Sequence, residues 1–132
     1  MNFPFFLIPL LINLVTPNCN DVRTGRFLLR DKISGETTIY RTEWIQREEN
    51  DKFGIITEDS VKWINDCTYT LIPYRVIKNN SKIPIETDFK LQIEIVEVKE
   101  KSYRQKTTSL ITGEIFTNEV MIVKPALMER LE

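Results

Sequence analysis

Histidine is missing from this chain, cysteine occurs twice, and only 4 glycines are spread over 132 residues. Each scarcity closes a class of function. Without histidine the commonest general base is gone and zinc loses its usual nitrogen ligand. With so few glycines there is no phosphate-cradling loop, no GxSxG nucleophile elbow and no calcium-loop spacing. An excess of charge of one sign is also lacking: 18 basic residues stand against 19 acidic ones, and the isoelectric point is near 5.6. Neither a nucleic-acid backbone nor an anionic lipid surface finds a strong electrostatic partner in such a chain. The sequence therefore predicts no enzyme, no cofactor, no bound metal and no nucleic-acid partner. Carboxylate-only catalysis is the one chemical route left open, and the neighbouring acids Glu48, Glu49 and Asp51, like Glu58 and Asp59, read as solvated hairpin residues.

Long apolar runs are lacking too, except at the start. Residues Phe3 to Val15 are almost wholly apolar, contain no acid, and give way at once to the polar stretch TPNCNDVRTG. The run is shorter than the roughly 20 residues that a spanning helix needs, and Pro4 and Pro9 interrupt it. It reads as a signal peptide over residues 1–18, followed by a single domain over residues 19–132. The expected location is outside the cytoplasm, periplasmic or secreted, with no membrane span once the signal is removed.

In that setting two thiols in one small domain tend to be joined, so the preferred reading is a Cys19–Cys67 disulfide. A lipid-bearing Cys19 at the head of a bacterial lipoprotein is the competing reading. Thr16, Pro17 and Asn18 fit it badly, because lipid attachment favours a small residue just before the cysteine.

Beyond Asn20 the pattern alternates with period two and is rich in Thr, Ile, Val, Tyr and Phe, the mark of half-buried strands. In DFKLQIEIVEV, Phe89, Leu91, Ile93 and Ile95 share one face while Lys90, Gln92 and Glu94 share the other. The apolar side changes over near Ile95 and Val96, which predicts a bulge. Turn signals predict eight strands: Val22 to Arg30, Thr37 to Arg41, Trp44 to Glu48, Ile55 to Ile64, Cys67 to Ile77, Asp88 to Lys99, Ser102 to Ile111 and Glu114 to Lys124. One longer polar connection, Lys78 to Thr87, crosses an end of the sheet, and Ala126 to Glu132 is left as a terminal turn or fray. Eight sequential strands bury a common face only if the sheet folds over or closes, so the fold class is all-β, an antiparallel up-and-down barrel.

The segments CNDVRTGRF (Cys19 to Phe27), TIYR (Thr38 to Arg41), IQRE (Ile45 to Glu48) and VKWINDCTYTL (Val61 to Leu71) resemble small exported proteins of Bacteroidetes-type bacteria, which look like miniature lipocalin-like barrels. The resemblance is sharp in the first half of the domain and rests on strand pattern in the second. It implies the paired cysteines together with Gly25, Phe27, Arg41, Gln46, Trp63 and Tyr69, and it supplies a fold and a location more than an activity. A topoisomerase label attached to some relatives finds no support here, since a chain of this length has neither an ATP-binding nor a DNA-cleaving domain.

Alternation places Arg41 on the face of Ile39, which is the interior if the sheet closes. A buried guanidinium needs partners. In lipocalin-like barrels that bind fatty acids an inward arginine and a tyrosine hold the ligand carboxylate, so the resemblance implies that role for Arg41 and Tyr69. The plainer alternative pairs Arg41 with Glu48 or another acid. Trp63, Phe27 and Phe89 are read as further ligand-lining candidates or as core filling, and Trp44 as a lid or contact beside a turn. The expected function is an exported binding module for a small apolar, amphipathic or carboxylate ligand; the alternative is an envelope structural or interaction barrel with a filled core.

Overall fold

The computed structural model describes residues 18–125; the signal segment expected before Asn18 and the terminal turn expected over residues 126–132 lie outside the described residues. A short 3-10 helix, Cys19–Val22, leads into β1 (Gly25–Asp31), β2 (Gly35–Arg41), β3 (Ile45–Asn50), β4 (Ile55–Asn65), β5 (Thr68–Asn79), β6 (Leu91–Val98), β7 (Ser102–Ser109) and β8 (Ile115–Pro125). Each strand pairs antiparallel with the next, and β8 returns to pair with β1. The sheet is a closed eight-stranded barrel.

Alternation decides which side chains fill it. Phe27, Ile39, Val61, Tyr69, Leu71, Ile93, Ile95, Tyr103 and Val120 are buried on the inner face, joined by Cys19 and Val22 of the 3-10 helix. Their outward neighbours, such as Arg30, Glu94 and Arg104, are exposed. The register shift falls between Ile95 and Glu97, where the apolar side of β6 changes over, so the bulge is in the predicted place.

The two ends of the barrel differ. At one end the turns β2–β3, β4–β5 and β6–β7 gather around the 3-10 helix. Val22 is fully buried there, and the Cys19–Cys67 disulfide, with Cα atoms 5.3 Å apart, ties the helix to the β4–β5 turn. The sulfur that a lipid would need on Cys19 is committed to this bond. Joining residues 48 apart removes loop-closure entropy from the unfolded chain, stabilising the fold by about 4 kcal/mol.

The opposite end carries the β1–β2, β3–β4 and β7–β8 hairpins and the long β5–β6 loop. It is left open by a local failure of pairing. β5 meets β6 only at Thr68–Leu71, against Leu91–Glu94, while the rest of β5 leans on β4 alone. Register shifts leave Tyr74 and Ile77 of β5 without an opposite residue on β4, and such bulges bend a strand away from a flat sheet. Pro73 stands in the same stretch, where no β6 partner asks for its missing amide hydrogen.

Most strand limits move by one to three residues from the sequence reading, and three of the starts have a plain physical reason. The first strand begins at Gly25 rather than Val22, because the disulfide draws Cys19–Val22 into the helical plug. Cys67 lies in the β4–β5 turn, its amide donating to Asn65 Oδ1 at 2.9 Å, and β5 starts one residue later. β6 starts at Leu91 rather than Asp88, because β5 has already turned away from it.

Candidate functional site

The closed end is built around one buried charge. Arg41, at the end of β2, is 2 % exposed and places all five of its N–H donors on protein oxygens. Nε donates to the Arg23 carbonyl at 3.1 Å; Nη1 donates to Gln46 Oε1 at 3.0 Å and to the Tyr69 hydroxyl at 3.1 Å; Nη2 donates to the Val22 carbonyl at 2.7 Å and to the Tyr103 hydroxyl at 3.0 Å. The rings of Phe27, Tyr69 and Tyr103 surround the guanidinium, with centroids 4.6, 5.0 and 5.7 Å away. Burial pushes the Tyr69 hydroxyl above its ordinary range, so at neutral pH it stays a neutral acceptor and donor.

The partner alternatives for Arg41 resolve differently from either sequence reading. Among the described residues no carboxylate touches the guanidinium directly: Gln46 stands between, accepting from Arg41 and donating through Nε2 to Glu48 Oε2 at 2.9 Å. No N–H remains for a ligand carboxylate either, since the chain carbonyls of the plug take the donors that a ligand would need. Arg41 is a fastener of the closed end.

Two adjoining chambers lie above it. The inner one, about 140 Å³, occupies the barrel axis and is lined by Leu29, Ile39, Arg41, Gln46, Glu48 and residues of β5 to β8, among them Gln105, Thr107 and Asn118. The outer one, about 380 Å³, fills the notch where β5 leaves β6, between Pro73–Val76 and the loop residues Ile85–Phe89. Glu48, Leu71 and Leu91 belong to the walls of both.

The chambers are sparsely supplied with donors. Asp59 of β4 is 5 % exposed, and burial, reinforced by the charge and hydrogen bond of Glu48, pushes its carboxyl up to about 7. The expectation that Asp59 is solvated is therefore overturned: it lies on the inward face with Val61. Its sequence neighbour Glu58 faces the rim and pairs with Arg75 at 2.8 Å. On the opposite wall Gln105 Oε1 and Asn118 Oδ1, cross-strand neighbours on β7 and β8, are buried without a hydrogen-bond partner among the described residues.

Of the ligand-lining candidates, Arg41 and Tyr69 border the inner chamber and Phe89 the outer one. Phe27 is core, stacked edge to face on Tyr103 at 5.5 Å. Trp63 packs at the closed end against Tyr69, 4.6 Å between centroids, with the Arg23 guanidinium 4.4 Å from its ring centre. Neither lines a chamber. Trp44 is 75 % exposed beside the β2–β3 turn. Asp59, Gln105 and Asn118 were missed as site residues. Parity with Val61 would have brought Asp59 inside, and parity with Tyr103 and Val120 would have done the same for Gln105 and Asn118. Among the described residues no group of three or more His, Cys, Asp and Glu side chains is placed to hold a metal, and no helix is long and apolar enough to cross a membrane.

Comparison with family models, with curated proteins and with solved structures finds no match to this chain.

Proposed function

We propose that the protein is an exported binding module that takes a small amphipathic molecule through the open end of its barrel. One observation carries the reading: an inner chamber whose walls include Gln46, Glu48 and Thr107 adjoins an outer chamber walled by Leu71, Pro73, Val76, Ile85, Phe89 and Leu91, where β5 parts from β6. The outer chamber has the size and the mixed apolar lining typical of small-molecule sites. The disulfide is of the kind favoured by oxidising compartments, which supports export. So does the apolar leader in the sequence.

A filled structural barrel is the second reading, and it draws on the lower half of the molecule, where Val22, Phe27, Tyr69, Ile95, Tyr103 and Val120 leave almost no exposed surface. Leu91→Trp separates the two, since the larger ring fills the junction of the chambers. The neutral probe N-phenylnaphthylamine should brighten on binding the disulfide-intact protein and should not brighten with the variant. Absence of binding by the unaltered protein rejects the binding reading in favour of the filled barrel.

A further inference from the structure

We propose that the open end of the barrel is a seat for a lipid bilayer, with apolar side chains at the hairpin tips entering the interface and lysines beside them meeting the lipid phosphates. The seat does not depend on the chambers being occupied, so it stands apart from the binding reading above.

Apolar residues stand at this end where turns ordinarily carry polar ones. Ile33, 79 % exposed, tips the β1–β2 turn; Ile83 stands in the β5–β6 loop; and Leu110, Ile111, Ile115 and Phe116 surround the β7–β8 turn, all of them exposed. Among the described residues the turns of the closed end expose one such side chain, Trp44. Exposed apolar groups gathered at one end of a molecule mark an interaction surface. Here they project from separate turns with polar residues between them. A protein partner would have to match each projection in shape, whereas a fluid bilayer takes them without a match.

The charges beside them fit the same partner. Three tips set a lysine directly before the apolar residue: Lys32-Ile33, Lys52-Phe53 and Lys82-Ile83. None of these lysines forms an ion pair among the described residues. Lys52 gives one donor to the Ile33 carbonyl at 2.5 Å and keeps two. A lysine stem lies along apolar surface while its ammonium stays at the level of the head groups. Of the acids at this end, Asp31 accepts from the Ile33 and Ser34 amides of its own turn, and Glu36 pairs with Arg30. Asp51, Glu86, Asp88 and Glu114 stay exposed. The end is therefore not strongly basic, and apolar insertion carries the seat while the lysines add to it.

Hydrogen bonds hold the tips as one rim. Asn50 Nδ2 donates to the Ser34 carbonyl at 2.8 Å, the Asn80 amide to the Gly54 carbonyl at 3.0 Å, and the Leu110 amide to the Lys90 carbonyl at 2.8 Å. They join the β1–β2 turn to the β3–β4 turn, that turn to the β5–β6 loop, and the loop to the β7–β8 turn. Docking then has little loop freedom left to remove.

Vesicles of phosphatidylcholine, alone or mixed equally with phosphatidylglycerol, test the seat by cosedimentation with the disulfide-intact protein. Binding is expected to both, several-fold tighter to the mixture. Ile33→Ser combined with Ile111→Ser should weaken binding to either by about tenfold and leave thermal melting unchanged, since both side chains are exposed. Lys32→Gln with Lys82→Gln should remove most of the gain from phosphatidylglycerol and keep the binding to phosphatidylcholine. Ile111→Trp places a reporter on the rim: its added emission should shift to the blue with vesicles and be quenched by brominated lipid, while Trp44 and Trp63, at the closed end, stay unquenched in the parent. No vesicle binding by the parent overturns the seat. So does binding that the serine pair leaves unchanged, or quenching of the parent's own tryptophans, because either places the contact elsewhere on the chain, the apolar leader included. Self-association of the parent that the serine pair abolishes, without vesicle binding, gives the rim to a second copy and overturns the bilayer. The neutral probe of the chambers is read separately, so its failure and the failure of the seat are distinct results.

Discussion

At the scale of single residues, two ionisable groups are buried for different ends. Arg41 is saturated by neutral oxygens and holds the plug, so its removal leaves two tyrosine hydroxyls, an amide oxygen and two chain carbonyls without their donor. Lysine has three donors in place of five and no planar fork. Arg41→Lys should therefore destabilise the fold by about 3 kcal/mol in urea unfolding. Asp59 works against stability in a pH-dependent way. Its carboxyl has an ordinary value of 3.8 when free, and burial pushes it up to about 7 in the fold. Between those values the folded chain holds a proton that the unfolded chain has released, so stability is full at low pH, falls as pH rises toward about 7 and then levels off. Asp59→Asn should remove that slope, raising the melting temperature by roughly 5 °C near pH 8 and by little near pH 4. A mutant as pH-sensitive as the parent would show that the slope arises elsewhere.

Among the elements, the disulfide, the β3–β4 turn and the bent half of β5 set the shape of the two ends. Serine at both Cys19 and Cys67 should lower the free energy of unfolding by about 4 kcal/mol, read from the shift of the urea midpoint at constant slope. Gly54 sits at φ +65 in the β3–β4 turn, and a Cβ there would meet the Asn80 Cβ at 2.9 Å. Its carbonyl also accepts from the Asn80 amide at 3.0 Å, bracing the far end of β5. Gly54→Ala should cost about 1–2 kcal/mol, measurable as a lowered urea midpoint. Strand identities were legible because a half-buried strand must alternate, and DFKLQIEIVEV does so plainly. The entrance to the first strand was not, since a covalent tie between distant cysteines overrides local strand preference at Val22. The outward turn of β5 depends on bulges in its register against β4, which no local pattern in TLIPYRVIKN announces. β3, with the sequence IQREEN, has no apolar side to fix parity, so the inward direction of Glu48 becomes plain only once Gln46 is seen beneath Arg41.

For the molecule as a whole, closure is the organising fact. β1 and β8 meet along Gly25–Leu28, and Val120 and Ile122 complete the wall of the core from β8. A chain ending at Glu119 would leave β1 and the stub of β8 as exposed edges, and it should aggregate where the parent stays dispersed, a difference that light scattering reads directly. The barrel was legible from the count of strands and the need to cover a shared face. The site was legible only in part: Arg41 and Tyr69 were found as inward polar residues bordering the inner chamber, while their hydrogen bonding to one another and to the plug came from the fold. Arg41, Gln46, Asp59, Gln105 and Thr107 are polar residues that alternation carries inside, and those types are the ones a reading for apolar cores passes over.

The unpaired upper half of β5 has one more consequence. A gap in a β-wall offers main-chain groups to any passing strand, and two molecules so exposed could add to each other without limit. Here Pro73 withholds an amide and the kinks at Tyr74 and Ile77 spoil the straight run that a guest strand would need. The notch can stay unzipped without becoming a seam for fibres. Straightening that strand would trade a gap for a polymer.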